Sequence, residues 1–109
     1  MKARKGTYKI CTDKGWKEYT GSYCIHFPFI IHRRQGEKWW KVSHLATGYN
    51  VRGNLTKFKQ CKQMVSELAV FPIFLMPTME TWTKALNRME KRKPEEHSKL
   101  LSIVRKEYE

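Results

Sequence analysis

Acidic residues are scarce in the first sixty positions of this chain. Only Asp13, Glu18 and Glu37 stand there against thirteen Lys and Arg, a balance of +10, whereas from residue 61 onward nine cations face seven acids. So few carboxylates leave the basic half without the cluster that would hold magnesium for a nuclease. Long apolar runs are missing too. The longest, Leu68 to Met76, has nine residues and contains Pro72, while a bilayer span needs about 20. No membrane partner is expected. The basic start, residues 1–7, is followed by no apolar segment of the kind a secretory signal requires, which predicts a cytoplasmic protein.

Cysteine is sparse and unpaired in pattern. Cys11, Cys24 and Cys61 are an odd number at wide spacings, with no C-x-x-C pair, so they read as small buried hydrophobes in a reducing compartment, not as a disulfide framework. A phosphate-binding glycine loop is absent, and so is any paired Cys and His finger spacing. Cys24, His26, His32 and His44 are the one set that could suggest a metal, because Cys24 and His26 project the same way on a strand. Closed zinc sites use paired motifs that are not found here. No metal, no cofactor, no small-molecule substrate and no catalytic residue are therefore expected, and the chain reads as a non-enzyme.

What the chain has is enough apolar and aromatic residue to fold, 40% and 13% of 109 residues. That length fits one domain over residues 1–109, with a basic antiparallel sheet over 1–53 and a helical layer over 54–109. Tyr23, Ile25, Phe27, Phe29 and Ile31 alternate with Cys24, His26, Pro28, Ile30 and His32, which predicts a strand with one buried face. Pro28, lacking an N–H, puts that strand at an edge or gives it a bulge. Arg33 to Glu37 reads as a hairpin loop, and Lys38 to Leu45 as the returning strand. Val42 turns Trp40 and His44 inward and leaves Trp39 and Lys41 outward; Tyr8, Lys9 and Ile10 alternate likewise, with Lys9 outward. Tyr49 to Val51 reads as a short further strand.

Helical spacing follows. Leu55, Phe58, Cys61, Met64, Val65 and Leu68 fall on one stripe, predicting a helix from about Leu55 to Ala69 capped by Asn54 or Thr56. Phe71 to Pro77 reads as a buried crossing. A second helix begins near Thr78, buries Met79, Trp82, Leu86 and Met89, and ends at Lys91 to Lys93; Pro94 opens a third with Leu100, Leu101, Val104 and Tyr108 on its stripe. Strands first and helices afterwards predict an α+β fold: an antiparallel sheet of three to four strands, covered on one face by two to three C-terminal helices. The other face is expected open, carrying Lys9, His26, His32, Arg34, Trp39 and Lys41.

A lopsided positive field attracts polyanions, and nucleic acid is the commonest of these. Cations that track phosphates beside an exposed ring for stacking suit single strands. On that basis the expected nucleic-acid-binding residues are Lys9, Arg33, Arg34, Lys38, Trp39, Lys41, Arg52, Lys57 and Lys59. Single strands are favoured over duplex, although the Arg33 to Lys38 loop together with Lys57 and Lys59 could also grip two phosphate rows. Residues 40–49, Trp-Lys-Val-Ser-His-Leu-Ala-Thr-Gly-Tyr, ahead of Thr56-Lys57, resemble a W-x-V-x-H-x-x-T-G strand and turn of small phage and mobile-element accessory proteins. The resemblance spans about residues 38–70. It implies an alternative partner, a host protein or nucleoprotein complex met in the host cytoplasm, as for anti-CRISPR-like or other counter-defence inhibitors. It carries over no site residue.

Overall fold

The computed structural model describes residues 2–108. Five strands, β1 (Arg4–Thr12), β2 (Gly15–His26), β3 (Phe29–Arg34), β4 (Trp40–His44) and β5 (Asn50–Leu55), form one antiparallel sheet in chain order. Three helices follow, α1 (Phe58–Leu68), α2 (Met79–Arg92) and α3 (Pro94–Arg105), with a 3-10 turn at Pro72–Leu75 between the first two. The architecture is the expected α+β, with five strands where three to four were expected.

The extra strand comes from two misread segments. Residues 23–31 are not one strand: β2 ends at His26, Phe27–Pro28 forms a tight turn, and β3 begins at Phe29, so that His26 pairs with Phe29 and Cys24 with Ile31. Proline's missing N–H marks a break in the ladder, not merely an edge or bulge. The turn shifts the alternation ahead of it by one position. Cys24, Phe29 and Ile31 lie in the core, while Ile25 and Phe27 are 58% and 68% exposed. The second segment is the β1–β2 hairpin, nine residue pairs closed at Asp13–Lys14, of which the sequence pattern gave only Tyr8 to Ile10.

That hairpin also removes the expected open face. Tyr8 stands opposite Tyr19, and Tyr23 stands four residues further along opposite Arg4. In a flat strand that separation would be about 13 Å, yet the Tyr8 and Tyr23 rings lie 5.5 Å apart, and Tyr8 is 5.4 Å from the His32 ring. The sheet bends sharply where Gly6 faces Gly21. A side chain at Gly21 would meet the Arg33 carbonyl oxygen at 2.1 Å, so only glycine lets β2 pass that close to β3. The far half of the hairpin then folds back over the sheet until Cys11 reaches the β4–β5 loop at Gly48, whose φ is +73° and where a Cβ would sit 1.5 Å from the Cys11 carbonyl oxygen. Tyr8, Ile10 and Ile30 form a second small core under this flap, flanked by Tyr19, Tyr23 and Leu45.

The main core lies on the opposite face. Trp40, Val42 and His44 point into it as expected, 6%, 0% and 0% exposed, against Met64, Val65 and Leu68 of α1. Trp39 is 42% exposed. Helix α1 starts three residues later than expected, because Leu55 pairs with Trp40 in the sheet and is spent on β5. Neither Asn54 nor Thr56 caps it. Instead the Gln60 side-chain oxygen accepts the N–H groups of Thr56 and Lys57 and the Thr56 hydroxyl. The later helices match their signals: the Thr78 hydroxyl accepts the Thr81 N–H at the start of α2, and Pro94 opens α3. Of the side chains expected on the buried side of α2, Trp82 is buried and Met79 is 44% exposed.

Candidate nucleic-acid interface

His44, Thr47 and Gly48 of the W-x-V-x-H-x-x-T-G residues hold the fold together at one end of the sheet. The Phe74 carbonyl can only accept, so His44 Nε2 carries the proton there and its Nδ1 accepts from the Thr47 hydroxyl at 2.8 Å. Thr47 Oγ1 in turn accepts the Tyr49 N–H, and Tyr49 packs on Trp82 at 4.8 Å. With Trp40 and Val42 in the core and Gly48 against Cys11, these residues serve packing.

The opposite end of the sheet gathers cations. Arg33 and Arg34 end β3 instead of belonging to the expected loop, Lys38 and Trp39 lie in the β3–β4 loop instead of the returning strand, and each of the three cations sits on a ring. Arg33 lies 4.5 Å over Trp40, Arg34 4.8 Å over Tyr19, and Lys38 4.9 Å over Trp39. Trp40 also stacks on Phe58 at 5.1 Å, which brings the start of α1, with exposed Lys57 and Lys59, to the same end. Lys41 and Arg34 share Glu37 at 3.6 and 3.9 Å, pairs that are solvent-exposed and weak. Between this loop and the Gly6–Gly21 bend lies a cleft of about 430 Å³, lined by the backbone of the two glycines and by Lys5, Arg33, Arg34 and Glu37. Lys5, Arg33 and Arg34 against the single acid Glu37 give it a positive wall.

Two of the expected residues do not join the others. Lys9 is opposite Glu18 on the convex outside of the flap, on the face shared by Lys5 and Trp16 and not with His32, Arg34 and Lys41. Arg52 is a structural clamp: its guanidinium donates to the carbonyls of Val104 and Lys106, both at 2.8 Å, and to Asn54, tying β5 to the end of α3. The same corner is locked by Glu67, which accepts from Tyr108 and Lys106. The open sheet face also loses His26, which points to the helix side with Phe29, and His32, which is buried under the flap.

His32 donates to or accepts from Ser43 Oγ at 2.8 Å, while its Nδ1 and the nearby Tyr8 hydroxyl are buried without partners. Burial, reinforced by Lys41, lowers its pKa to about 4, so it is neutral in the folded protein at neutral pH. Cys24 and His44 are on the helix-facing side and His32 on the other, so these side chains are divided between two faces; among the described residues no three His, Cys, Asp or Glu converge on a metal position. Cys61 is fully buried, and burial pushes its thiol up to about 12, which keeps it from acting as a nucleophile.

Two further residues were not foreseen from the sequence, Lys5 beside the expected ones and Trp16 at the far end of the flap opposite Cys11. Lys5 lines the cleft. Trp16, 58% exposed on the flap between Lys14 and Lys17, presents more ring to solvent than Trp39 does. Its basic neighbours were the signal, hidden because the hairpin that displays it was not recognised. The chain matches no protein-family model, no curated protein and no solved structure.

Proposed function

We propose that this protein is a non-enzymatic nucleic-acid-binding domain that engages its ligand through the end of the sheet formed by the β3–β4 loop. One observation carries the reading: Lys5, Arg33 and Arg34 wall a cleft beside the loop in which Lys38 lies on the half-exposed Trp39, and Lys41, Lys57 and Lys59 are at the same end of the sheet. Cations that hold phosphates beside a ring that takes a base are the two components of single-strand binding. The covered sheet face plays no part. A strand instead follows the loop edge, its phosphates against Arg34, Lys38 and Lys5 and one base on Trp39.

Engagement of about four phosphates gives a slope near −3 in log affinity against log salt for a single strand. Fluorescence anisotropy with matched single- and double-stranded oligonucleotides across a salt series tests this. Single strands should bind tighter, and Trp39→Ala should weaken them by about 1 to 3 kcal/mol. Affinity that does not respond to salt would sink the mechanism, and tighter duplex binding with no Trp39 effect would move it to the two-row grip by the loop and α1. The counter-defence alternative uses the same basic end against an acidic or nucleic-acid-binding host protein. Its mark is a specific partner that copurifies after nuclease treatment.

A further inference from the structure

The helical half holds a second surface of different chemistry. Between α2 and the 3-10 turn runs a groove of about 420 Å³ whose floor is Ile73, Met76, Ala85 and Met89. Its rim is Arg88, Arg92 and Lys93, all exposed, and among the described residues none of the three forms an ion pair. Glu96 is the one acid on the rim. Three exposed cations against one acid give the rim of this apolar floor a net positive charge.

We propose that this groove docks an acidic amphipathic helix of a partner protein. The spacing along α2 supports that occupant. Ala85 and Met89 are one helical turn apart, and so are Arg88 and Arg92, so an apolar row and a basic row run side by side along the helix. A partner helix with apolar residues at the same spacing and carboxylates on one flank matches both rows, the mode in which amphipathic helices fill grooves. Guanidinium groups pair well with carboxylates, and the two flexible methionines let the floor adapt to the inserted side chains. A second copy of this chain is a poor occupant, since each copy carries a net charge of +12. The groove is built from α2 and the 3-10 turn, apart from the β3–β4 loop, so this inference stands whether or not the nucleic-acid reading holds.

The test is anisotropy of a labelled synthetic peptide with leucines at helical spacing and glutamates on one flank, titrated with the full chain. Controls are a scrambled peptide of the same composition and a version with lysine for glutamate. The ordered acidic peptide should bind at least about tenfold tighter than either. Arg88→Glu with Arg92→Glu, both exposed and so compatible with folding, should reverse the preference toward the lysine peptide. Met89→Asp should weaken the acidic peptide about tenfold, with circular dichroism verifying its fold. Oligonucleotide should not displace the peptide, and Arg34→Ala with Lys38→Ala should not affect it. Equal binding of ordered and scrambled peptides, an unchanged preference in the charge-reversed variant, or loss of peptide binding in the Arg34/Lys38 variant would each overturn the proposal, the last by assigning the peptide to the nucleic-acid surface as a generic polyanion.

Discussion

Lowering the pH should loosen the flap through His32. The ring is 7% exposed, packed on Tyr8, bonded once to Ser43 and placed beside Lys41, so a positive charge on it has neither solvent nor a carboxylate to stabilise it. Its folded pKa of about 4 lies below the unfolded value of 6.5. Between those values the unfolded chain binds the proton and the folded chain does not, so stability is complete above about 6.5, falls as pH falls, and levels off near 4. A gap of about 2.5 units corresponds to about 3 kcal/mol, a large share of the 5 to 15 kcal/mol typical of a domain. Urea unfolding followed by tryptophan fluorescence at steps from pH 7.5 to 4.5 measures it, with His32→Gln as the reference because glutamine can still bond Ser43 and does not titrate. The other histidines are common to both proteins and cancel. Glu67 contributes elsewhere: the hydrogen bond from Tyr108, then Lys106, holds its carboxylate below the ordinary 4.5, so its stabilisation is lost only at the acid end. Wild type should lose about 2 to 3 kcal/mol relative to the variant over this range. Parallel loss in both would show that His32 is not kept neutral by its burial.

Adjacent tryptophans should separate fold from binding: Trp40→Ala should cost about 3 to 5 kcal/mol in denaturant unfolding as a core aromatic loss, while Trp39→Ala stays within about 0.5 kcal/mol as a surface change. Gly48→Ala combines a left-handed backbone with a contact 1.5 Å from the Cys11 carbonyl oxygen, so amide exchange should accelerate in β1 while α2 is unaffected; unchanged protection of Tyr8 and Ile10 would deny that Gly48 seats the flap. Arg52→Ala removes charge-assisted bonds to two carbonyls and should cost about 1.5 to 3 kcal/mol, with oligonucleotide affinity unaltered when measured well below its melting temperature. A drop in affinity at full folding would return Arg52 to the binding surface.

The elements legible in the sequence are those whose burial is decided locally. The α1 stripe Cys61, Met64, Val65 and Leu68, the Thr78 and Pro94 starts, and the inward Trp40 beside the outward Trp39 each follow from a spacing of three to four or of two, and all are found. Phe27 defeats that logic. It occupies a turn, 68% exposed, yet is among the most apolar side chains available, so alternation ran straight through the break. The β1–β2 hairpin fails for the opposite reason: its outward positions, Thr7, Lys9, Glu18 and Thr20, and its inward tyrosines carry too little hydrophobic contrast for a period of two to register.

The candidate interface divides along the same line between local and long-range causes. A net positive half can be summed from residue types, and the loop that concentrates it follows from Gly36 and the flanking strands. Whether a given cation is free depends on what the chain places against it from far away. Arg52 and Val104 are 52 residues apart, and no pattern around Arg52 distinguishes a carbonyl clamp from a phosphate contact. The sheet face makes the same point at larger scale. His32 was expected on an open surface because its strand neighbours alternate correctly, and they do; what covers it is a hairpin that begins at Arg4 and turns back at a glycine pair. The bend depends on close approach of two paired strands, as at Gly21 and Arg33, and is therefore a property of the pair and not of either one alone. Lys5, Arg33 and Arg34 lie beside that bend, and this is why the cleft is at the end of the sheet instead of on its face.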